Sequence, residues 1–433
     1  MKKTFLLIGL MAMVLVSCHK NHPHYPGSAQ NDSRLLTGWL GLHMKIIRNT
    51  SGVTHIAFSR HFSYTGIAVY ESLVGGAAPY KSVASQLNGN LQLPAPPKGA
   101  KVFHPASANA AMAAMLRFFY SASQTNVASI DSLEQVFFQK FKENADDHFD
   151  LDASVNYGKS IASAVIEWSV SDGAGNANIP YTPKGEGYWE PTPPANAAAN
   201  LPGWGNNRLI LSGSNNGALP PAPVPFSKEP GSPFYQMVKK VYDVTATLTE
   251  QQKAIALFWD DAPNGKYLSV FGHWFSVLKQ VLDREKTPLI KGAEAYLRLG
   301  IAMNDATISC WQGKYEYHVV RPITYIRAYM GDPNWNTMIS TPPHPEYSSA
   351  HSTISASASF ALESSFGKNY AFTDHSYDVI GMSPRSFTSF DAAAKEAGLS
   401  RLYAGIHYEP SIEAGYQQGR KVGANVVDKL KTR

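Results

Sequence analysis

The sequence predicts an all-α protein, two packed helical bundles joined by a long loop rich in proline and aromatic residues. Three observations predict it. Apolar residues recur at three- to four-residue spacing, as Ile161, Val165 and Trp168 do, which is the period of one helical face. No stretch sustains the alternation of two that marks a half-buried strand. Between 173 and 233 the helical period gives way to Pro-Thr-Pro-Pro at 191–194, Pro220-Pro221-Ala222-Pro223 and several glycines, which stop helices.

The N-terminus is read first as a targeting segment. Lys2 and Lys3 precede an apolar run from Phe5 to Val16, too short to span a bilayer, so residues 1–17 are assigned as a signal peptide. Leu15-Val16-Ser17-Cys18 resembles a lipoprotein cleavage box, with Cys18 as the lipid-modified residue; an ordinary secretory signal beside an unrelated cysteine is the alternative. Residues 18–32 are rich in Pro, His, Asn and Ser and bury too little apolar surface to order themselves, so they form a disordered tether. No later stretch approaches the ~18 uninterrupted apolar residues of a membrane span. The expectation is an exported protein, lipid-anchored to the bacterial cell envelope and facing the periplasm or the cell surface. With Cys18 so used, Cys310 has no disulfide partner. Loss of Lys2 and Lys3 lowers the formal charge of +5 by two, and only 16% of residues are charged against 44% hydrophobic; this is too mild to imply nucleic acid.

Residues 33–172 are assigned to an N-terminal bundle, with helices over about 33–48, 55–74, 105–121, 127–143 and 153–171. The run Ala110-Ala111-Met112-Ala113-Ala114-Met115-Leu116 has high helix propensity. Residues 173–233 are either a flexible linker or a wrap over the helical body. Tyr181, Tyr188, Trp189 and Trp204 favour the wrap, since a free linker would not carry exposed tryptophan. Residues 234–433 form a C-terminal bundle, with helices over about 234–244, 249–260, 272–283 and 290–313. Thr249-Glu250 opens one with an N-cap and Gly313 closes another.

Three segments of this half concentrate cations, hydroxyls and imidazoles. In Trp311-Gln312-Gly313-Lys314-Tyr315-Glu316-Tyr317-His318-Val319-Val320-Arg321-Pro322, Lys314 and Arg321 are seven apart, about two helical turns, so a continuous helix puts both cations on one side. Pro322 bends the chain and fixes the guanidinium at a helix end. In Pro342-Pro343-His344-Pro345-Glu346-Tyr347-Ser348-Ser349-Ala350-His351, prolines stop the chain before a small, polar helix. A helix start offers free N–H groups and a positive dipole end, and Ser349, the Ala350 amide and His351 face an anion there. In Ser400-Arg401-Leu402-Tyr403-Ala404-Gly405-Ile406-His407, Gly405 permits close backbone approach. His407 has a neutral nitrogen available as ligand or nucleophile.

Together the three segments resemble the signature of the type 2 phosphatidic acid phosphatase and vanadium haloperoxidase superfamily: Lys-x6-Arg-Pro, then Ser-Gly-His, then Ser-Arg-x5-His. The resemblance covers about Trp311–Ser411, with a looser likeness at Trp259, His273 and Trp274. It implies bundles of the haloperoxidase type and a seat for vanadate, or for phosphate. Lys314, Arg321 and Arg401 neutralise the oxyanion, Ser349 and the Ala350 amide donate hydrogen bonds, His407 is the vanadium ligand or phosphorylated nucleophile, and His351 is the acid–base partner. Trp311 is similar to a tryptophan of bacterial haloperoxidases. His344 falls where the family tunes halide selectivity, and histidine there is similar to bromoperoxidases.

Two residues depart from the pattern. Ala350 replaces the usual glycine, which its backbone angles must allow. Ser411 stands where an aspartate commonly follows the histidine by four, so the imidazole lacks its orienting carboxylate unless Glu409 or another group supplies one.

The resemblance leaves three activities open. A vanadium haloperoxidase oxidises halide with hydrogen peroxide, Lys314 polarising the bound peroxide. A phosphatase cleaves a phosphate ester through phosphorylated His407. A surface lipoprotein binds an oxyanion or glycan without turnover. The haloperoxidase reading is preferred, because embedded lipid phosphatases need several membrane spans and soluble acid phosphatases are much shorter. Partners are then small molecules and, through the anchor alone, a membrane; a homo-oligomer stays open.

Overall fold

The computed structural model describes residues 33–433; the signal, the tether and Cys18 lie outside the described residues. Thirteen α-helices are found there. The first five are α1 (Arg34–Asn49), α2 (Phe58–Val74), α3 (His104–Tyr120), α4 (Gln124–Asn144) and α5 (Leu151–Val170). After the long loop come α6 (Pro233–Ala246), α7 (Glu250–Phe258), α8 (Val270–Glu285), α9 (Leu289–Tyr317) and α10 (Pro322–Tyr329). The last three are α11 (Ala350–Phe366), α12 (Phe390–Tyr403) and α13 (Glu409–Lys429). Their starts are chemically marked. Ser123, Asp150, Ser232, Ser269 and Ser389 each accept a first-turn N–H, and Thr249 forms a capping box with Gln252. Each satisfies a donor that the helix itself leaves free.

The 29-residue α9 is buried along almost its whole length, so it is a central helix rather than an amphipathic surface one. It packs against α2, α11 and α13. One continuous apolar core runs from Leu36 and Trp39 in α1 through Phe62 and Ile67 in α2 and Tyr296 and Ile301 in α9. It continues to Ile354 in α11 and Val422 in α13. A smaller core gathers Phe234 and Val238 of α6, Val320, Tyr325 and Ile326 around α10, and Leu402 and Tyr408. Small residues set the closest approach: a methyl group on Gly419 of α13 would meet the Thr353 carbonyl of α11 at 2.0 Å. The Ser- and Ala-rich α11 therefore lies directly on α13.

Residues 173–233 wrap the body. Trp189 and Trp204 are buried. Ile210 N–H, Leu211 N–H and Ser214 Oγ donate to the Asp305 carboxylate of α9 at 2.8, 3.0 and 2.7 Å. The Trp189 amide donates to the His318 carbonyl at 2.6 Å and the Asn200 amide to the Pro343 carbonyl at 2.8 Å. The wrap thus holds both segments on which the candidate site depends.

Two expectations fail locally. Gly313 does not close α9: it lies buried within the helix, which runs to Tyr317 and ends on His318 in the left-handed conformation, φ 50°. Two three-residue strands, β1 (Phe372–Asp374) and β2 (Arg385–Phe387), pair antiparallel with Phe372 opposite Phe387; runs this short leave no periodic signal. No helix among the described residues is long and apolar enough to cross a membrane.

Candidate functional site

The turn at His318 changes how the two cations of the first segment meet. Lys314 is in the last turn of α9, whereas Arg321 is the extended residue that precedes α10, φ −79° and ψ 153°, with Pro322 as the first helical residue. They do not share a helix face. They converge because both side chains reach the same extended segment, residues 342–346. Lys314 Nζ donates to the Pro345 and Glu346 carbonyls at 2.8 and 3.0 Å. Arg321 Nε donates to the His344 carbonyl at 3.0 Å, Nη1 to the Ile406 carbonyl at 2.8 Å, and Nη2 to the Pro342 carbonyl at 3.5 Å.

Both cations are 0% exposed, and among the described residues neither forms an ion pair with a carboxylate. Burial lowers Lys314 to about 7, with Arg321 adding to it. Burial also lowers Arg321, to about 10. Two buried cations with only neutral hydrogen-bond partners are costly unless an anion joins them.

The imidazoles follow from Arg321, which has only donors. Its Nη1 lies 3.2 Å from His407 Nε2 and its Nη2 3.0 Å from His344 Nδ1. His407 Nε2 must accept, so that ring is neutral; His344 Nδ1 lies 3.1 Å from the Pro345 carbonyl as well, so the guanidinium and the carbonyl compete for it. His407 then carries its proton on Nδ1, which is 2.7 Å from Glu346 Oε1. Burial and the Arg321 charge hold His407 well below the usual imidazole range; for His344 burial leads, followed by Lys314 and Arg321. His344 is buried in its proline-rich turn, its ring 5.0 Å from that of Trp311. Trp311 is itself fixed by a 3.2 Å hydrogen bond to the Asn200 carbonyl of the wrap.

The second segment starts α11 as the sequence implied. Ser349 is the N-cap and Ala350 the first helical residue. Ala350 does not have a positive φ, so the methyl group that replaces hydrogen there brings no backbone strain. The first intrahelical acceptor pairing is Thr353 N–H to the Ser349 carbonyl, at 3.0 Å, which leaves the amides of Ala350, His351 and Ser352 without intrahelical partners. Ser349 Oγ is buried with no hydrogen-bond partner.

Arg401, near the end of α12, is 1% exposed. Its Nη1 donates to the Trp259 carbonyl at 2.7 Å and its Nη2 lies 3.7 Å from Asp261 Oδ1, while Nε is buried and unpartnered. His351 Nε2 lies 3.8 Å from the same carboxylate oxygen. Burial and then the Arg401 charge lower His351 to about 3. Burial alone would raise Asp261, but His351, His55 and Arg401 outweigh it and hold the acid below its ordinary range. Arg401 in turn depresses both Arg321 and His407, which joins the two halves of the site electrostatically. Gly405 has φ 78°, and an added methyl group would meet the Trp335 ring at 3.0 Å; the turn that delivers His407 needs glycine there.

Sequence reasoning missed Asp261 and Glu346. Neither carries a motif signal, because each is brought in by tertiary packing. Glu409, the nearest carboxylate to His407 in sequence, points away and pairs with exposed Lys240. The donor set is therefore three cations, one free serine hydroxyl, a helix N-terminus and an imidazole lone pair, which suits a tetrahedral oxyanion.

A comparison with curated protein sequences gives no significant match. The family described as VCPO second helical-bundle domain matches residues 294–433. A solved structure described as the first bacterial vanadium-dependent iodoperoxidase superposes with a TM-score of 0.84 at 32% identity, covering 94% of this chain and 98% of its own. The holo form of a bacterial vanadium-dependent chloroperoxidase gives a TM-score of 0.70 at 14% identity over 92% of this chain and 98% of its own. An apo form gives 0.65 at 16% over 87% and 93%. These last two share the fold.

Proposed function

We propose that this chain, which belongs to the vanadium haloperoxidase family, oxidises halide with hydrogen peroxide at a vanadate held by His407 Nε2. The observation that carries the reading is a shortage of negative charge. Lys314 and Arg321 are buried without an ion-pair partner, while Ser349 Oγ and Arg401 Nε are buried without any partner. A tetrahedral oxyanion supplies acceptors for Ser349 Oγ and Arg401 Nε and negative charge for Lys314 and Arg321, and planar guanidinium groups suit it because they donate in pairs.

Bound vanadate supplies a Lewis-acidic centre at which peroxide becomes reactive toward halide. The protein's own groups do the rest. The neutral His407 ring carries its proton on Nδ1 toward Glu346, so Nε2 has a lone pair to offer once Arg321 Nη1, 3.2 Å from it, turns to the oxyanion. Lys314 and both arginines offset negative charge in a buried setting, where fixed donors act most strongly. Ser349 Oγ and the first amides of α11 add uncharged donors. His351, which shares the Asp261 carboxylate oxygen with Arg401, is the group that accepts and returns a proton. Trp311 and His344, packed ring against ring, tune the halide. The lipid anchor at Cys18 and the envelope location are proposed on the sequence alone.

The test is halide oxidation by peroxide with and without added vanadate, beside hydrolysis of an aryl phosphate. Vanadate-dependent oxidation is expected, with a loss of about 1,000-fold or more in His407→Ala, the scale on which a single fixed site group acts. Vanadate-inhibited hydrolysis alone would replace this reading with a phosphatase, and neither activity would leave a non-catalytic oxyanion-binding protein.

A further inference from the structure

We infer that Glu346 is the positioning residue that fixes the tautomer of His407 for the oxyanion, supplying the carboxylate that Ser411 cannot. The inference rests on the proposed role of His407 as oxyanion ligand. Three independent features of Glu346 point to it.

The first is directional. Glu346 Oε1 lies 2.7 Å from His407 Nδ1 and also accepts the Tyr408 amide at 3.0 Å. The backbone on one side of the ring and the ring itself are tied to one oxygen atom, so the imidazole plane is set as well as its proton. On the far side of the ring Arg321 Nη1 already donates toward Nε2. A ring with its proton on Nε2 would put N–H against N–H there and leave Nδ1 facing a carboxylate without a proton between them. Glu346 thus makes Nε2 the lone-pair atom.

The second is burial. The Glu346 side chain is 0% exposed and Oε2 has no hydrogen-bond partner. A group kept only to accept two hydrogen bonds needs no carboxylate, because a neutral amide oxygen accepts both and is cheaper to desolvate. Burial pushes the Glu346 carboxyl up to about 7, against the pull of Arg321; in its ionised form it makes Nε2 a stronger donor of its lone pair, as partners of histidine ligands generally do.

The third is the backbone of the same residue. The Glu346 carbonyl accepts Lys314 Nζ at 3.0 Å, and Ser411 Oγ at 3.5 Å, while its N–H donates to the Val319 carbonyl at 2.9 Å. A single residue therefore couples the placement of the Lys314 cation to that of the imidazole. Ser411 Oγ reaches this same carbonyl, so a carboxylate placed at 411 tests whether the role can be taken over from Glu346.

The experiment uses full-length wild type, Glu346→Gln, Glu346→Ala and the double variant Glu346→Ala/Ser411→Asp. Histidine 15N NMR in the absence of vanadate reports the His407 tautomer, and equilibrium titration with vanadate reports affinity. Wild type is expected to carry the proton on Nδ1. Glu346→Gln keeps that tautomer and binds vanadate about 10-fold more weakly; Glu346→Ala loses it and binds about 100-fold more weakly, the range typical for partners of ligand histidines. The double variant recovers about 10-fold, which a purely structural role of Glu346 would not produce. A wild-type ring protonated on Nε2 overturns the inference without any variant. Vanadate affinity within twofold of wild type in Glu346→Gln or Glu346→Ala also overturns it, and an unfolded Glu346→Ala leaves the glutamine variant to decide. If wild type binds no vanadate, the proposed function fails, while the tautomer still stands or falls by NMR.

Discussion

Two groups of buried histidines lie in this protein, and they are built on opposite electrostatic plans. In the first half, the Tyr120 hydroxyl bridges His43 Nε2 at 2.8 Å and His61 Nδ1 at 2.9 Å, with the rings against Phe62 and Phe119 at 4.0 and 4.2 Å. In the second, His344 and His407 flank one buried guanidinium and His351 neighbours another. Burial depresses the pKa of both groups; it lowers His43 to about 3, as it does His351. A depressed histidine is therefore no mark of function by itself. Each group also has an orphan nitrogen, His43 Nδ1 in one and Arg401 Nε in the other. Only the second is a charged donor among further unpaired cations, and that surplus asks for an anion.

The largest effect that tests this contrast is on stability. Tyr120→Phe removes the hydroxyl that both His43 and His61 use, leaving two buried nitrogens unpaired at about 1–3 kcal/mol each, or roughly 4 kcal/mol together. Urea denaturation should show that loss, while turnover per folded molecule stays within about twofold of wild type. A variant that lost turnover at unchanged stability would place the first group in the chemistry and dissolve the contrast. Next comes linkage at the second group. Vanadate at 100 times its Kd should stabilise the wild type by about 2.7 kcal/mol, seen as a raised Tm. Arg401→Ala should remove most of that gain, because Nε and Nη2 lose the anion together; an undiminished gain would place the anion elsewhere.

What the sequence reveals follows the same division between local and distant causes. The helices were legible because period and capping are local: the segment read as 249–260 is α7, Glu250–Phe258, with the capping box formed at Thr249. The cations, Ser349 and the two imidazoles were legible because each motif keeps them within a few residues of one another. The meeting of Lys314 with Arg321 was legible as a fact but not as a geometry, since nothing in the residue type announces that His318 adopts the left-handed conformation at the end of α9. Glu346 reaches His407 from 61 positions earlier, and Asp261 reaches Arg401 and His351 from the loop after α7. Such partners are chosen by packing, so local spacing holds no record of them. The missing aspartate at Ser411 was the one sequence sign that some other carboxylate had to be present.

The pH dependence separates the groups further. His43 titrates at about 3 in the fold and near 6.5 once unfolded, so between those values the unfolded chain binds a proton that the native state refuses. Stability therefore falls as pH drops below about 6.5, by about 1.4 kcal/mol per unit and about 2 kcal/mol by pH 5. His43→Phe, which keeps a ring against Phe62, should remove that part of the slope in denaturation curves at pH 6.5 and 5. An identical slope in wild type and variant would mean that His43 is protonated in the folded protein.

The smallest effect asks how far the site is insulated from its helices. Thr249→Ala removes the side-chain acceptor of the Gln252 amide and breaks the capping box at the start of α7, which costs about 1 kcal/mol in exposed caps. The other end of α7 carries Trp259, whose carbonyl receives Arg401 and whose ring stacks on His273 at 4.4 Å and donates to Glu396 at 3.1 Å. Those anchors belong to α8 and α12 rather than to α7. Fraying from Thr249 should therefore lower the denaturation midpoint slightly and leave vanadate affinity within twofold of wild type. An affinity loss as large as the stability loss would show instead that Arg401 depends on the integrity of α7, and that the site draws its placement from the helix cap as well as from the buried tryptophan.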